Sequence, residues 1–171
     1  MQRHHCDRYS EDKKILAVDD EQDILNVLEE EVRSSCSDCV VDRATSYDEA
    51  VKLLQSKSYD VIVLDIMGVR GFDLLDIAVQ NNLRAVMLTA HALSPENLKR
   101  AYARGARAYL PKEKLGQIVP FLEDTLKYEF ESGWKRAYEA LRDTFTTLWG
   151  RDWEKLEKET GTKLPPGWNG N

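Results

Sequence analysis

Four short apolar runs in this chain each stop at a polar residue: ILAV at Asp19 and Asp20, VIVL at Asp65, VML at Thr89 and AYLP at Lys112. Carboxylates gathered in one place repel one another, so such a cluster makes sense around a hard cation with oxygen ligands, the set that magnesium takes. A hydroxyl and an ammonium beside that cation suit a phosphoryl group. The condition is geometric. If the runs are parallel strands of one sheet, all these side chains emerge at its carboxyl edge, where open α/β sheets bind ligands.

The intervening segments support that arrangement. From Lys13 to about Lys127, β-rich runs alternate with amphipathic stretches, the pattern of a parallel sheet wrapped by helices. Ile24, Leu25, Leu28 and Val32 recur at helical spacing after the first strand, and CVVDRAT reads as a second strand near the sheet edge. Ser46 with Glu49 forms a capping-box pattern ahead of a helix that buries Ala50, Val51, Leu53 and Leu54. YDVIVLD is continuous rather than alternating, as a central strand covered on both faces requires. Ser94-Pro95-Glu96 predicts an N-cap with proline at the first helical position, Gly105 the end of that helix. A further helix is predicted from near Leu115, with Pro120 in its first turn or at a kink.

Beyond Tyr128 the pattern changes. Trp134, Tyr138, Leu141, Phe145 and Leu148 form a helical seam, with breaks expected at Gly133 and Gly150 and a loose LPPGWNGN end. The seam leaves two readings open: a helix folded back onto its own domain, or a homodimer contact.

A net charge of −6 without a basic stripe argues against nucleic acid as a partner. The sequence shows no apolar stretch of transmembrane length, and its first residues lack a signal peptide's apolar middle, so a cytoplasmic protein is expected. Cys6, Cys36 and Cys39 are an odd number outside a small secreted scaffold, so a disulfide framework is not expected, and Cys36 and Cys39, though at redox or metal spacing, sit between a helix and a strand without a second pair. His4, His5 and Cys6 fall in a start expected to be frayed, residues 1–12.

The segments KKILAVDDEQDIL, VIVLDIMGVRGFDLL, VMLTAHA and AYLPKEKL resemble, in order and approximate spacing, the receiver domains of two-component response regulators. The resemblance covers residues 13–127 and leaves 128–171 as an amphipathic helical extension and tail. It implies a doubly wound, flavodoxin-like α/β fold with five parallel strands in the order 2-1-3-4-5. It also implies roles. Asp65 matches the phosphoacceptor; Asp19 and Asp20, with Asp65 and the backbone carbonyl of Met67, match the Mg²⁺ ligands; Thr89 and Lys112 match the groups that bind phosphoryl oxygens. Tyr109 matches an aromatic switch whose ring turns inward as Thr89 moves toward the phosphate, and Ala90 and His91 line the rim. The implied partners are a histidine kinase or histidine phosphotransfer protein and a downstream protein.

Two departures stand out. The segment from Asp65 to Gly71 is two residues shorter than is usual in that family, and Pro111 precedes Lys112 where a proline commonly follows the lysine. Competing readings are a Mg²⁺-dependent phosphohydrolase with an aspartate nucleophile, which usually carries an acid at the position of Met67, and an adaptor acting through its aromatic tail. The tail shows no helix-turn-helix pattern of a transcription factor.

Overall fold

The structure is a computed structural model that describes residues 12–90 and 94–150. Five strands, β1 (Lys14–Val18), β2 (Val40–Ala44), β3 (Val61–Asp65), β4 (Arg84–Thr89) and β5 (Ala108–Pro111), form one parallel sheet in the order β2-β1-β3-β4-β5. Helices α1 (Gln22–Ser35), α2 (Tyr47–Ser56), α3 (Gly71–Gln80), α4 (Pro95–Ala103) and α5 (Ile118–Lys127) connect or follow the strands, and α6 (Phe130–Trp149) closes the described chain. This is the doubly wound flavodoxin-like fold.

Burial follows position in the sheet. Every residue of central β3 is buried, whereas edge strand β2 buries only Ala44. Helix ends obey their local chemistry. Ser46 Oγ accepts from the Glu49 N–H at 3.2 Å, but Glu49 reaches back to Thr45, not to Ser46. Ser94 Oγ accepts from the Asn97 N–H at 3.1 Å with Pro95 in the first turn. Gly105, at φ 92°, ends α4 in a Schellman arrangement, its N–H donating to Tyr102 O and that of Ala106 to Ala101 O.

Three expectations are corrected. The helix expected from Leu115 begins at Ile118, after a 3-10 segment over Lys112–Gln117; Pro120 then lies in its first turn, where a missing N–H leaves no helical bond unmade. Gly133 does not break the tail helix. It lies buried in the first turn of α6, its N–H donating to Glu129 O at 2.8 Å. Against the expectation of no disulfide, Cys36 and Cys39 form one, made feasible by a turn between α1 and β2 that brings their Cα atoms to 5.5 Å.

The seam folds back. Trp134, Tyr138, Leu141 and Phe145 are all buried within the chain, while Leu148 stays exposed. The Trp134 indole N–H donates to Ala106 O, and its ring meets Tyr102 edge-on at 5.3 Å. A dimer through that same face would require α6 to leave its own domain. Arg84 donates to the carbonyls of Thr125 and Leu126 at 2.7 and 2.8 Å, capping α5 just before the turn into α6.

Candidate functional site

Register alone brings the polar strand ends together. Val18 pairs with Leu64, so the next residues, Asp19 and Asp65, leave the two adjacent strands β1 and β3 at one level. Thr89 pairs with Pro111, which sets Lys112 immediately beyond it. Asp19, Asp65 and Thr89 are buried, at 1%, 4% and 1% exposure.

Lys112 joins the acids. Its ammonium lies 2.8 Å from Asp19 Oδ2, 3.0 Å from Glu21 Oε1 and 3.3 Å from Asp65 Oδ1. The Asp19 contact is an ion pair by distance without the alignment of a hydrogen bond. Burial works against the lysine's charge, but its contacts with Asp19 and Glu21 and the charge of Asp65 outweigh it and hold the ammonium above the ordinary lysine range. The displaced proline therefore does not keep Lys112 from the pocket.

Glu21 is a member that the sequence alone does not single out. One carboxylate oxygen each from Asp19, Asp20 and Glu21 lies within 4.8 Å of the others, whereas Asp65 reaches this group through Lys112. Glu21 is also the N-cap of α1, and it makes no side-chain cap because its carboxylate is turned to the lysine. Its position directly after two aspartates is the available signal, but by itself an acid there reads as ordinary helix-start chemistry.

The shortened loop packs onto the acids. Gly68, at φ 82°, approaches Asp20 so closely that a Cβ there would stand 2.4 Å from Oδ2. The peptide following Met67 thus lies beside Asp20, while the Met67 side chain points outward at 56% exposure. Two residues after Gly68 the chain places a non-glycine in a second left-handed position: Arg70, at φ 54°. Its guanidinium lies 4.2 Å from the Tyr47 ring centre and its Nε 2.9 Å from Asp73, contacts that offset the backbone cost.

Thr89 Oγ1 is buried and makes no hydrogen bond of ordinary geometry among the described residues. The Tyr109 hydroxyl lies beside it and accepts weakly from the Ser94 N–H at 3.4 Å. Tyr109 is 1% exposed, with its hydroxyl at the Ser94 and Thr89 end, and burial pushes that hydroxyl up to about 12. Ala90 is exposed at the rim; His91 lies outside the described residues, as do His4, His5 and Cys6.

Burial first, and the charge of Asp19 second, push the Asp65 carboxyl up to about 6 despite the opposing Lys112. Burial also raises Asp19. An unfolded aspartate ionises near pH 4, so between about 4 and about 6 the folded chain binds more protons than the unfolded one. Stability from Asp65 therefore falls as pH rises through that window, by at most about 3 kcal/mol. In EDTA, thermal melts of the native chain are expected to lose stability between pH 5 and pH 7 relative to an Asp65→Asn chain. Parallel pH profiles for the two would contradict it.

These residues fit a magnesium ion: burial and the charge of Asp19 disfavour the ionised Asp65 carboxylate, a cost that a divalent cation would relieve, and oxygen donors are the set it takes.

The strand order and the acids at the sheet's carboxyl edge are those of a receiver domain. The response regulator receiver domain family matches residues 15–121. The chain belongs to that family. Among solved structures, the receiver domain of the Francisella response regulator 1452 is 27% identical, with a TM-score of 0.55 over 67% of this chain and 99% of that one. A response regulator receiver domain protein from Clostridium thermocellum is 25% identical, with a TM-score of 0.58 over 67% and 93%. A CheY-like receiver from Methanospirillum hungatei shares the fold at 24% identity and a TM-score of 0.55, over 66% and 95%. No curated protein matches the sequence. Among the described residues no helix is long and apolar enough to cross a membrane.

Proposed function

We propose that this receiver accepts a phosphoryl group on Asp65 from a phosphohistidine of a histidine kinase or histidine phosphotransfer protein and passes the signal to a downstream protein. The observation that carries this reading is buried Asp65 at the sheet's carboxyl edge with the Lys112 ammonium 3.3 Å from its Oδ1, next to the end of β4, where the Thr89 hydroxyl is buried. A phosphoryl group on Asp65 supplies an acceptor for the hydroxyl and a new anion for the ammonium.

The chemistry is a displacement. A carboxylate oxygen of Asp65 forms a bond to phosphorus as the phosphorus–nitrogen bond of the donor histidine breaks, and the departing imidazole takes the electron pair. Asp19 and Asp20, with Asp65 and the Met67 carbonyl, would hold Mg²⁺, which supplies charge neutralisation at the phosphoryl oxygens. Lys112 would then exchange Glu21 and Asp65 for phosphoryl oxygen, Thr89 would donate to another, and Tyr109 would keep its inward position behind Thr89. Ala90 leaves the entrance open. The chain would catalyse only its own transfer and slow autodephosphorylation, in the cytoplasm, with residues 13–127 as receiver and 128–171 as extension. A phosphohydrolase would want an acid where outward-facing Met67 stands.

Intact mass after incubation with acetyl phosphate tests the reading. With Mg²⁺ the chain is expected to gain a single phosphoryl group, and with EDTA none. An equal gain in EDTA would remove the metal from the account, and sustained donor consumption without an adduct would favour the hydrolase.

A further inference from the structure

We propose that Phe145 of α6 is a positioning residue for the phosphoryl site, acting through Tyr109, so that docking of α6 and occupancy of Asp65 strengthen each other. The inference rests on the reading of Asp65, Thr89 and Tyr109 given above.

Tyr109 lies on β5, the edge strand of the sheet, so no further strand holds its ring from outside. Among the described residues, α6 packs an aromatic side chain against it. The ring centres of Tyr109 and Phe145 are 6.3 Å apart at 58°, and both residues are 1% exposed. Phe145 is itself backed by Trp149, stacked at 4.7 Å and 9°. At its other end the Tyr109 hydroxyl reaches the Ser94 N–H at the start of α4 and lies beside Thr89. One side chain thus touches the pocket at its tip and the tail helix at its ring.

The two contacts favour the same state. While Phe145 packs against the ring, a swing of Tyr109 away from Thr89 would have to disturb a buried aromatic cluster. A phosphoryl group that engages Thr89 selects that same arrangement. Two events that favour one conformation each favour the other, and to the same extent. Trp134 supplies the means of isolating the effect, because it fixes α6 to Ala106 and Tyr102, away from the hydroxyl end of Tyr109. A change at Phe145 can therefore loosen Tyr109 while the helix keeps its other anchor.

The test uses the full chain with Mg²⁺ and beryllium trifluoride, a tetrahedral mimic of a phosphoryl group, with affinity read by calorimetry and α6 docking by amide hydrogen exchange. Phe145→Ala is expected to weaken mimic binding by about fivefold or more, and Phe145→Leu, which restores apolar volume, to recover most of it. The mimic is expected to slow exchange along α6 in the native chain and not in Phe145→Ala. Should circular dichroism show Phe145→Ala unfolded, the exchange effect in the native chain and the affinity of Phe145→Leu carry the comparison, and a native chain whose α6 exchange ignores the mimic would overturn the coupling. If Asp65→Asn abolishes binding while Phe145→Ala binds like the native chain, this inference fails and the site reading stands. If Asp65→Asn binds the mimic as the native chain does, the site reading fails and takes the inference with it.

Discussion

Asp65→Asn is expected to give a folded chain that takes up no phosphoryl group from acetyl phosphate or a phosphohistidine donor. The amide is close in shape to the carboxylate but lacks the charge that makes the oxygen a nucleophile. Folding should not suffer, because ionised Asp65 is a cost to the native state: its carboxyl is pushed up to about 6, chiefly by burial. Lys112 would keep Asp19 at 2.8 Å and Glu21 at 3.0 Å as partners, so the substitution leaves no stranded cation. In EDTA at neutral pH the variant should therefore melt at or above the native chain. A variant that melts far lower would mean that Asp65 holds the pocket together rather than straining it.

Gly71→Ala is expected to have the largest effect on stability. A Cβ at that position would stand 2.0 Å from the Asp65 carbonyl oxygen and 2.8 Å from Ile66 Cα, and both are backbone atoms that no rotamer change can move aside. Gly71 opens α3 immediately after the shortened loop, and its N–H donates to Ile66 O at 3.2 Å, so the contact cannot be released without opening the turn. The cost should be about 3 kcal/mol or more, a drop in melting temperature of roughly 6–12 °C. Any folded remainder would carry a displaced Asp65 and lose phosphoryl uptake as well. A melt within a degree or two of the native chain would contradict the geometry. Not every glycine is so confined: at Gly116 an added Cβ meets nothing within 4 Å.

Much of the fold and of the candidate site is legible in the residues, for a physical reason. Parallel strands buried on both faces are continuous apolar runs, and the residue that ends each run must lie at the sheet's carboxyl edge; VIVL before Asp65 carries both facts. Caps at Ser46 and Ser94 are legible because the donor and acceptor lie three residues apart. What escapes depends on long-range or alternative geometry. The Glu21 to Lys112 pair spans 91 residues of sequence, and nothing local to Glu21 distinguishes it from a helix-start acid. The path of the shortened loop, with Gly68 against Asp20 and Arg70 left-handed, is set by the closure between β3 and α3 rather than by the residues' own preferences. The seam of α6 has one period whether it meets its own domain or a second copy, so only the packing of Trp134 and Phe145 could decide. Composition argues against a disulfide, but it carries no information on the turn between α1 and β2 that brings Cys36 to Cys39.

The position of the phosphoryl group decides whether Asp65 is the acceptor. The chain would be phosphorylated with acetyl phosphate and Mg²⁺, reduced with borohydride to convert an acyl phosphate into the corresponding alcohol, digested and sequenced by mass spectrometry. Homoserine is expected at Asp65, with Asp19, Asp20 and Glu21 unmodified. A reduced side chain at Asp19, Asp20 or Glu21 with Asp65 intact, or a phosphoryl group on a residue other than an acid, would contradict it.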